Sequence, residues 1–192
     1  MQALTRARAI SGPLKDEFME VAKASWHRAS QDPDLLVKID RMLERIRLER
    51  GSGSDFLNLK TGTGGIIEGE FLVQALAMRN NVWEPNSQRA LDRLRERGLF
   101  NDAEATKLKQ SYGFLRQCES ALRRYENKTV SSLPNDPSDQ QRLAIRLGYR
   151  KLDTFRRDYT DARESIHTIY ERHVALGNRG SPSVLQQVNA PT

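Results

Sequence analysis

The sequence predicts an all-α fold, a helical bundle of about seven or eight helices with a disordered C-terminal tail. Apolar residues recur at steps of three and four along the chain, and the alternating pattern of β-strands is absent. The 192 residues suit one domain with a real core, which we place at residues 1–176. Residues 177–192 are rich in Gly, Ser, Pro, Asn and Gln and are predicted to form a flexible tail.

Four helices are predicted in the first part of the chain, over residues 3–11, 14–30, 34–50 and 66–80. The first ends at Gly12-Pro13, a pair that a helix rarely crosses. One side of the second carries apolar residues, namely Phe18, Val21, Ala22 and Trp26. Asp32 and Pro33 begin the third as N-cap and first-turn proline. The fourth is apolar nearly all round, which is typical of a central, buried helix.

Four more helices are predicted further along, over residues 87–97, 102–127, 137–147 and 153–176. Asn101 precedes the second of these, with Glu104 three residues on, which is the spacing of a capping box. Asp136 and Pro137 begin the third as cap and first-position proline. Leu115 belongs to the apolar stripe of the 102–127 helix and is expected in the core.

A glycine-rich loop before the 66–80 helix is the best candidate binding feature. Glycines let another group approach the backbone closely, and a helix N-terminus attracts anions. We therefore expect the amides of Gly64 and Gly65 to be free to donate. The residues that we place near an anion or nucleotide are Lys60, Gly62, Gly64, Gly65, Glu68, Glu70 and Gln74. The alternatives remain open: the loop is only a tight turn, and both glutamates are first-turn charges favoured by the helix dipole.

Composition excludes several other classes of protein. The net charge of +6 comes from interspersed charges, and no basic stripe with aromatic residues predicts nucleic-acid binding. No run of 18 apolar residues predicts a membrane span, and no signal sequence is recognisable, so a cytoplasmic protein is expected. The single cysteine, Cys118, excludes an intramolecular disulfide. His27, His167 and His173 lack metal-ligand spacing, so no metal ligand and no catalytic residue is predicted.

The wider stretch resembles a known family. Lys60-x-Gly62-x-Gly64-Gly65-Ile66, followed by Glu68-x-Glu70-Phe71 and Gln74, is similar to a signature of the glutamate–ammonia ligase (glutamine synthetase) adenylyltransferases. Agreement continues in order through Ala90-Leu91-x-x-Leu94, Tyr112-x-Phe114-Leu115-Arg116, Leu133-Pro134 and Phe155 with Tyr159, Arg163 and Val174. The chain departs from the pattern at Asn58 and Glu68, where the family favours Asp, and at Gly69, where it has a branched apolar residue.

This resemblance implies a helical domain that follows a nucleotidyltransferase domain. The family's catalytic domain carries Gly-Ser and a downstream Asp-x-Asp that binds magnesium beside ATP. Here the Gly-Ser pairs of residues 51–54 have no Asp-x-Asp after them, so we expect this segment to be inactive alone. ATP and Mg would belong to the parent enzyme.

The implied partners are the nucleotidyltransferase domain of the parent, glutamine synthetase and the PII signalling protein. The segment would complete the nucleotide and substrate cleft, with Lys60 and the loop amides facing it. The sequence leaves open whether it belongs to the adding or the removing half, although the polar tail favours the C-terminal, adenylylating half. Two alternatives stand beside this: a stand-alone helical module that binds a nitrogen-signalling partner, and the related helical domain of a uridylyltransferase-like regulator.

Overall fold

The computed structural model describes residues 7–50, 54–126 and 131–175. Over these ranges the chain forms seven α-helices and no strand. They are α1 (Lys15–Ser30), α2 (Leu35–Arg50), α3 (Ile66–Arg79), α4 (Ser87–Glu96), α5 (Asp102–Glu126), α6 (Pro137–Arg146) and α7 (Leu152–Tyr170), the last continued by a π-helical turn, Glu171–Ala175. The all-α prediction is confirmed. The predicted tail, 177–192, lies outside the described residues.

Helix α3 is the centre of the bundle. It packs against α1, α2, α4, α5 and α7, and eleven of its fourteen residues are buried. A helix surrounded by neighbours has no solvated face, which explains why its sequence is apolar nearly all round. The prediction of a central, buried helix is therefore confirmed. The longest helices, α5 and α7, pack extensively on each other. Together with α2 they frame the start of α3, which the glycine-rich loop precedes.

The predicted N-terminal helix, 3–11, is wrong in its described part. Residues 7–11 are not helical, and Gly12 turns the chain with a φ of +115°. Ile10, an apolar residue of this segment, is 84% exposed, so no packed face supports a helix here. A helix of so few residues is marginal in water without tertiary contacts, and for this reason the apolar pattern alone gave a wrong prediction. Residues 3–6 lie outside the described part.

The apolar side predicted for α1 is only half correct. Ala22 and Trp26 are buried together with Ala29, and these three share the face that meets α3. Phe18 and Val21, however, are 43% and 60% exposed. Periodicity defines a face of a helix, but it does not define how far a neighbouring helix extends along that face.

Two of the three predicted helix starts are confirmed. The amide of Glu104 donates to Asn101 Oδ1 (2.8 Å), and Glu104 Oε2 accepts from the Asn101 amide (3.4 Å), which completes the capping box. Asp136 caps α6 ahead of Pro137. Asp32 does not directly precede α2, which begins only at Leu35; its carboxylate accepts from the amide of Asp34 (3.0 Å) in the turn before the helix.

Truncating Leu115 should destabilise the fold substantially. Its side chain is fully buried on α5, and Leu→Ala changes at such positions typically cost about 2–5 kcal/mol because a cavity remains. Thermal unfolding of Leu115→Ala should therefore show a melting temperature several degrees lower. Leu48→Ala, at an 85% exposed position on α2, is the control and should change stability by less than about 0.5 kcal/mol. Equal melting temperatures would show that the α5 stripe is not core.

Candidate functional site

The glycine-rich loop forms its own hydrogen-bonded turns before α3 begins. The amide of Gly62 donates to Asn58 O (3.2 Å), and that of Gly65 donates to Gly62 O (2.8 Å). The first amide of α3, that of Ile66, donates back to Leu59 O (3.0 Å). These bonds run within the loop and into the helix, so the backbone follows one defined path.

Asn58 organises the start of this path from inside. Its side chain is buried, and Oδ1 accepts from the amides of Lys60 (3.2 Å) and Thr61 (2.9 Å). Its Nδ2 donates to the Thr61 hydroxyl (2.7 Å). An amide both accepts and donates here, whereas the carboxylate of the family's usual Asp can only accept. The substitution therefore keeps the two backbone bonds, and the Asn side chain also supplies a donor.

Arg163 of α7 clamps the loop from the other end of the chain. The residue is 5% exposed, and both Nε (2.8 Å) and Nη2 (2.6 Å) donate to Thr63 O. Nη2 also lies 3.2 Å from Asp55 Oδ2, and Nη1 donates to Phe56 O. The guanidinium lies over the Tyr159 ring, 5.5 Å from its centroid. A planar, five-donor group satisfies all these partners at once.

Two glycines permit this close approach of the loop to α7. A Cβ on Gly64 would lie 2.6 Å from the carbonyl carbon of Arg163, and Gly64 has a φ of +69°. A Cβ on Gly62 would lie 2.5 Å from Asp55 O and 2.7 Å from Arg163 Nη2. Both glycines therefore serve the packing of the loop against its clamp.

The expectation that the amides of Gly64 and Gly65 are free to donate is wrong. The amide of Gly64 donates to Glu68 Oε2 (2.6 Å), and the amide of Gly65 is used within the loop. Glu68 therefore caps a loop amide. The side chain of the third helical residue satisfies the donor that an anion would otherwise meet.

Glu68 is also the buried meeting point of three helices. It lies on α3, accepts from Arg47 Nη2 of α2, and has its Oε1 2.8 Å from His167 Nδ1 of α7. Its side chain is wholly buried. A buried carboxylate is tolerable only with such charged and hydrogen-bonding partners, so this cluster holds the helices in one arrangement around the loop.

The contact with Glu68 should make stability depend on the protonation of His167. The hydrogen bond that His167 donates to the Glu68 carboxylate raises the pKa of His167 above its ordinary value of 6.5, and partial burial opposes this. Because the folded pKa exceeds the unfolded one, this stabilisation is complete below pH 6.5 and is lost as the pH rises through the folded pKa. Glu171 acts in the same direction and Arg47 against it.

Thermal melts between pH 6 and pH 9 should reveal this dependence. The melting temperature of the wild type should exceed that of His167→Asn most at low pH, and the gap should narrow as the pH rises. His27→Asn, at an exposed position on α1, controls for loss of a histidine. A gap that stays constant or widens with pH would contradict the assigned role of His167.

Lys60 points to α5, where one buried carboxylate gathers three cations. Glu119 Oε1 lies 3.6 Å from Lys60 Nζ and 4.0 Å from Arg123 Nη1, while Oε2 accepts from Arg116 Nη1 (2.6 Å). The Glu119 side chain is 3% exposed and that of Lys60 is 33% exposed. The cluster therefore keeps an excess of positive charge at the surface beside the loop.

Glu70 and Gln74 lie on a different side of α3 from Glu68. The Tyr112 hydroxyl of α5 donates to Glu70 Oε1 (2.8 Å), and Gln74 is buried in the bundle. The seven predicted residues are thus neighbours on the loop and α3, but their side chains do not converge on one point. Sequence reasoning gave no role to Asp55, Arg47 or His167, which complete the observed network.

No group of three or more His, Cys, Asp or Glu side chains is placed to hold a metal ion in the described ranges. Among the helices that the structure describes, none has both the length and the apolar character needed to cross a membrane.

Comparison with known proteins places this chain in a family. The chain is 32% identical over 166 residues to the bifunctional glutamine synthetase adenylyltransferase/adenylyl-removing enzyme of Bordetella pertussis (strain Tohama I / ATCC BAA-589 / NCTC 13251), covering 80% of this chain and 18% of that protein. The enzyme of the same description from Hahella chejuensis (strain KCTC 2396) is 29% identical over 154 residues, 77% of this chain and 16% of that protein.

The enzyme of the same description from Stenotrophomonas maltophilia (strain K279a) is 28% identical over 173 residues, 86% of this chain and 19% of that protein. The chain thus spans less than a fifth of the length of these relatives, and the resemblance to adenylyltransferases is confirmed. A family model described as GlnD PII-uridylyltransferase matches residues 35–174, from α2 to the turn after α7, with the loop and its clamp inside. The chain therefore belongs to the GlnD PII-uridylyltransferase family.

Proposed function

We propose that this chain is a non-catalytic helical domain of an enzyme that adds AMP to glutamine synthetase or removes it. It packs against a nucleotidyltransferase domain and helps to form the cleft for nucleotide and substrate. The names of the three relatives support this activity for the parent protein, where ATP and Mg would bind. The absence of an Asp-x-Asp motif after the Gly-Ser pairs supports the assignment of the chemistry to another domain.

The observation that carries the proposal is the rigid presentation of the glycine-rich loop. Arg163 and the Glu68 cluster hold its backbone from α7 and α3, which reduces the entropy cost of ordering the loop when a partner binds. Thr63 and the one-third exposed Lys60 remain at the surface of this loop. A preorganised loop with an accessible cation is suited to line a cleft that receives phosphate or carboxylate groups.

Lys60 is the residue that would meet such an anion. Glu119 retains Arg116 and Arg123 when Lys60 turns away, so the buried carboxylate is not left without a cation. The loop amides contribute to the shape of this cleft wall, because their hydrogen bonds are already made within the domain. This revises the predicted role of Gly62, Gly64 and Gly65 from anion donors to shape-forming residues.

The description of the family model favours a second candidate. It names a PII-uridylyltransferase, so the chain would then be the helical domain of a uridylyltransferase-like regulator that acts on PII. The two candidates share the architecture and differ in nucleotide and protein substrate. Transfer assays of the parent enzyme with ATP and glutamine synthetase, and with UTP and PII, distinguish them.

Lys60→Ala in the parent enzyme should lower AMP transfer to or from glutamine synthetase at least several-fold, because an ordered charge of the cleft is lost. The helical circular dichroism spectrum should not change. Lys23→Ala, at an exposed position on α1, is the matched control and should leave activity unchanged. Equal activity of the two variants would contradict a role of the loop in the cleft.

The isolated chain provides an independent test. Incubated with glutamine synthetase, ATP and Mg, it should transfer no AMP, and it should remove none from the adenylylated protein. Magnesium-dependent transfer by this chain alone would overturn the assignment of the chemistry to an absent domain.

A further inference from the structure

A groove of about 1190 Å³ is lined by Arg8, the segment before α4 and its first turn, α5 from Tyr112 to Arg124, and the end of α6. Its charged lining residues are five arginines and one glutamate, namely Arg8, Arg89, Arg116, Arg124, Arg146 and Glu84. Glu84 Oε2 already pairs with Arg93 (3.3 Å), and its Oε1 accepts from the amide of Asn86 (3.1 Å). The groove is therefore strongly positive.

Much of this positive charge is available to a ligand. Arg89 is exposed and makes no ion pair with any residue in ranges 7–50, 54–126 and 131–175. Arg124 donates from Nε to Ser120 O (3.3 Å), which orients the side chain without neutralising it. Arg116 shares its carboxylate, Glu119, with two other cations, as described above. A surface that holds so many guanidinium groups close together favours an anionic partner.

The spacing of these arginines points to an extended ligand. Arg116, Ser120 and Arg124 follow one another at four-residue steps on α5, so the two arginines start about 12 Å apart along the helix. The volume also exceeds the roughly 300–1000 Å³ of typical small-molecule sites. An extended peptide advances about 3.3 Å per residue, so carboxylates four residues apart match the arginine spacing.

We propose that this groove binds an extended acidic segment of another protein. Its Asp or Glu side chains pair with Arg116 and Arg124 along α5 and with Arg89 on the opposite wall, since guanidinium forks bind carboxylates with two hydrogen bonds. Exposed Gln88 and Gln117 line the same groove and supply hydrogen bonds to the peptide backbone. The proposal does not rest on the function proposed above, because none of the residues that would pair with the segment belongs to the glycine-rich loop.

Fluorescence anisotropy with two labelled peptides tests the proposal, one of alternating Glu and Ser and one of alternating Gln and Ser. The Glu peptide should bind the wild-type chain, the Gln peptide should not, and raising NaCl from about 50 to about 300 mM should weaken binding. The double variant Arg89→Ala/Arg124→Ala should weaken binding roughly tenfold. Arg116 stays unchanged, because it neutralises the buried Glu119.

A matched double variant, Arg41→Ala/Arg45→Ala, removes the same charge from exposed positions of α2 and should leave affinity within about twofold. If both double variants weaken binding of the Glu peptide equally, the loss of affinity comes from net charge alone and the proposal is overturned. Equal binding of the two peptides, or no binding of the Glu peptide, would also overturn it. So would tighter binding of ATP or inorganic pyrophosphate that the Arg89→Ala/Arg124→Ala variant abolishes, because the groove would then be a phosphate site.

Discussion

Arg163→Met is expected to destabilise the protein by about 3–5 kcal/mol, although Met, which is shorter than Arg, keeps an unbranched apolar stem. The substitution removes the two bonds that Arg163 donates to Thr63 O, and it leaves Phe56 O with the Tyr159 hydroxyl (3.0 Å) as its donor from α7. Bonds from a charged donor contribute about 1.5–3 kcal/mol each, and buried carbonyls left without a partner cost more than solvated ones. The ion pair with Asp55 adds little, because that carboxylate is 62% exposed.

Thermal unfolding should show this as a fall in melting temperature of roughly 10 °C for a chain of this size. Arg163→Lys keeps the charge but not the planar fork, so it should be intermediate. Arg157→Ala, an exposed arginine on the same helix, should change the free energy of unfolding by less than about 0.5 kcal/mol. If Arg163→Met and Arg157→Ala have the same melting temperature, the hydrogen bonds of Arg163 do not stabilise the fold.

Gly64→Ala is expected to be nearly as costly, by about 2–5 kcal/mol, for two additive reasons. The residue has a φ of +69°, and the left-handed region costs an L-residue roughly 1–2 kcal/mol. The new methyl group would also lie 2.6 Å from the carbonyl carbon of Arg163, where backbone and not a flexible side chain must move. Loop and α7 would have to separate, and the bonds of the clamp would lengthen.

Gly98→Ala separates these two causes in chemical denaturation. Gly98 has a similar φ of +75°, but nothing lies within 4 Å of the position of its Cβ. It should therefore show only the conformational cost, and Gly64→Ala should exceed it by about 1–3 kcal/mol. If both variants lose the same free energy of unfolding, the close contact with Arg163 contributes nothing to the cost of Gly64→Ala.

The helices themselves were predictable because their signals are local. The period of apolar residues, the capping box of Asn101 and Glu104, and the Asp136-Pro137 start were all legible in a short window of sequence and are confirmed. The local signals failed where a neighbour was needed. Residues 7–11 have an apolar pattern without a packing partner, and Phe18 and Val21 lie on an apolar face that α3 does not cover.

The site shows the same division more sharply. The sequence alone located the glycine-rich loop, because glycines in front of an apolar helix are recognisable without a structure. The sequence did not reveal which groups accept from the loop amides. The hydrogen bond from the Gly64 amide to Glu68 depends on the folded path of the backbone, and no sequence pattern predicts it. Arg163 was one arginine among many, although the resemblance included it.

The sequence by itself thus determined an all-α fold, the central helix and the position of the candidate loop. The tertiary structure alone decided that Arg163, about one hundred residues further along the chain, donates to Thr63 O, and that His167 and Arg47 share Glu68. The physical reason is the separation along the chain over which each interaction acts. Backbone hydrogen bonds and periodicity act over a few residues, whereas a buried charge takes its partners from whichever helices the packing of the core brings beside it.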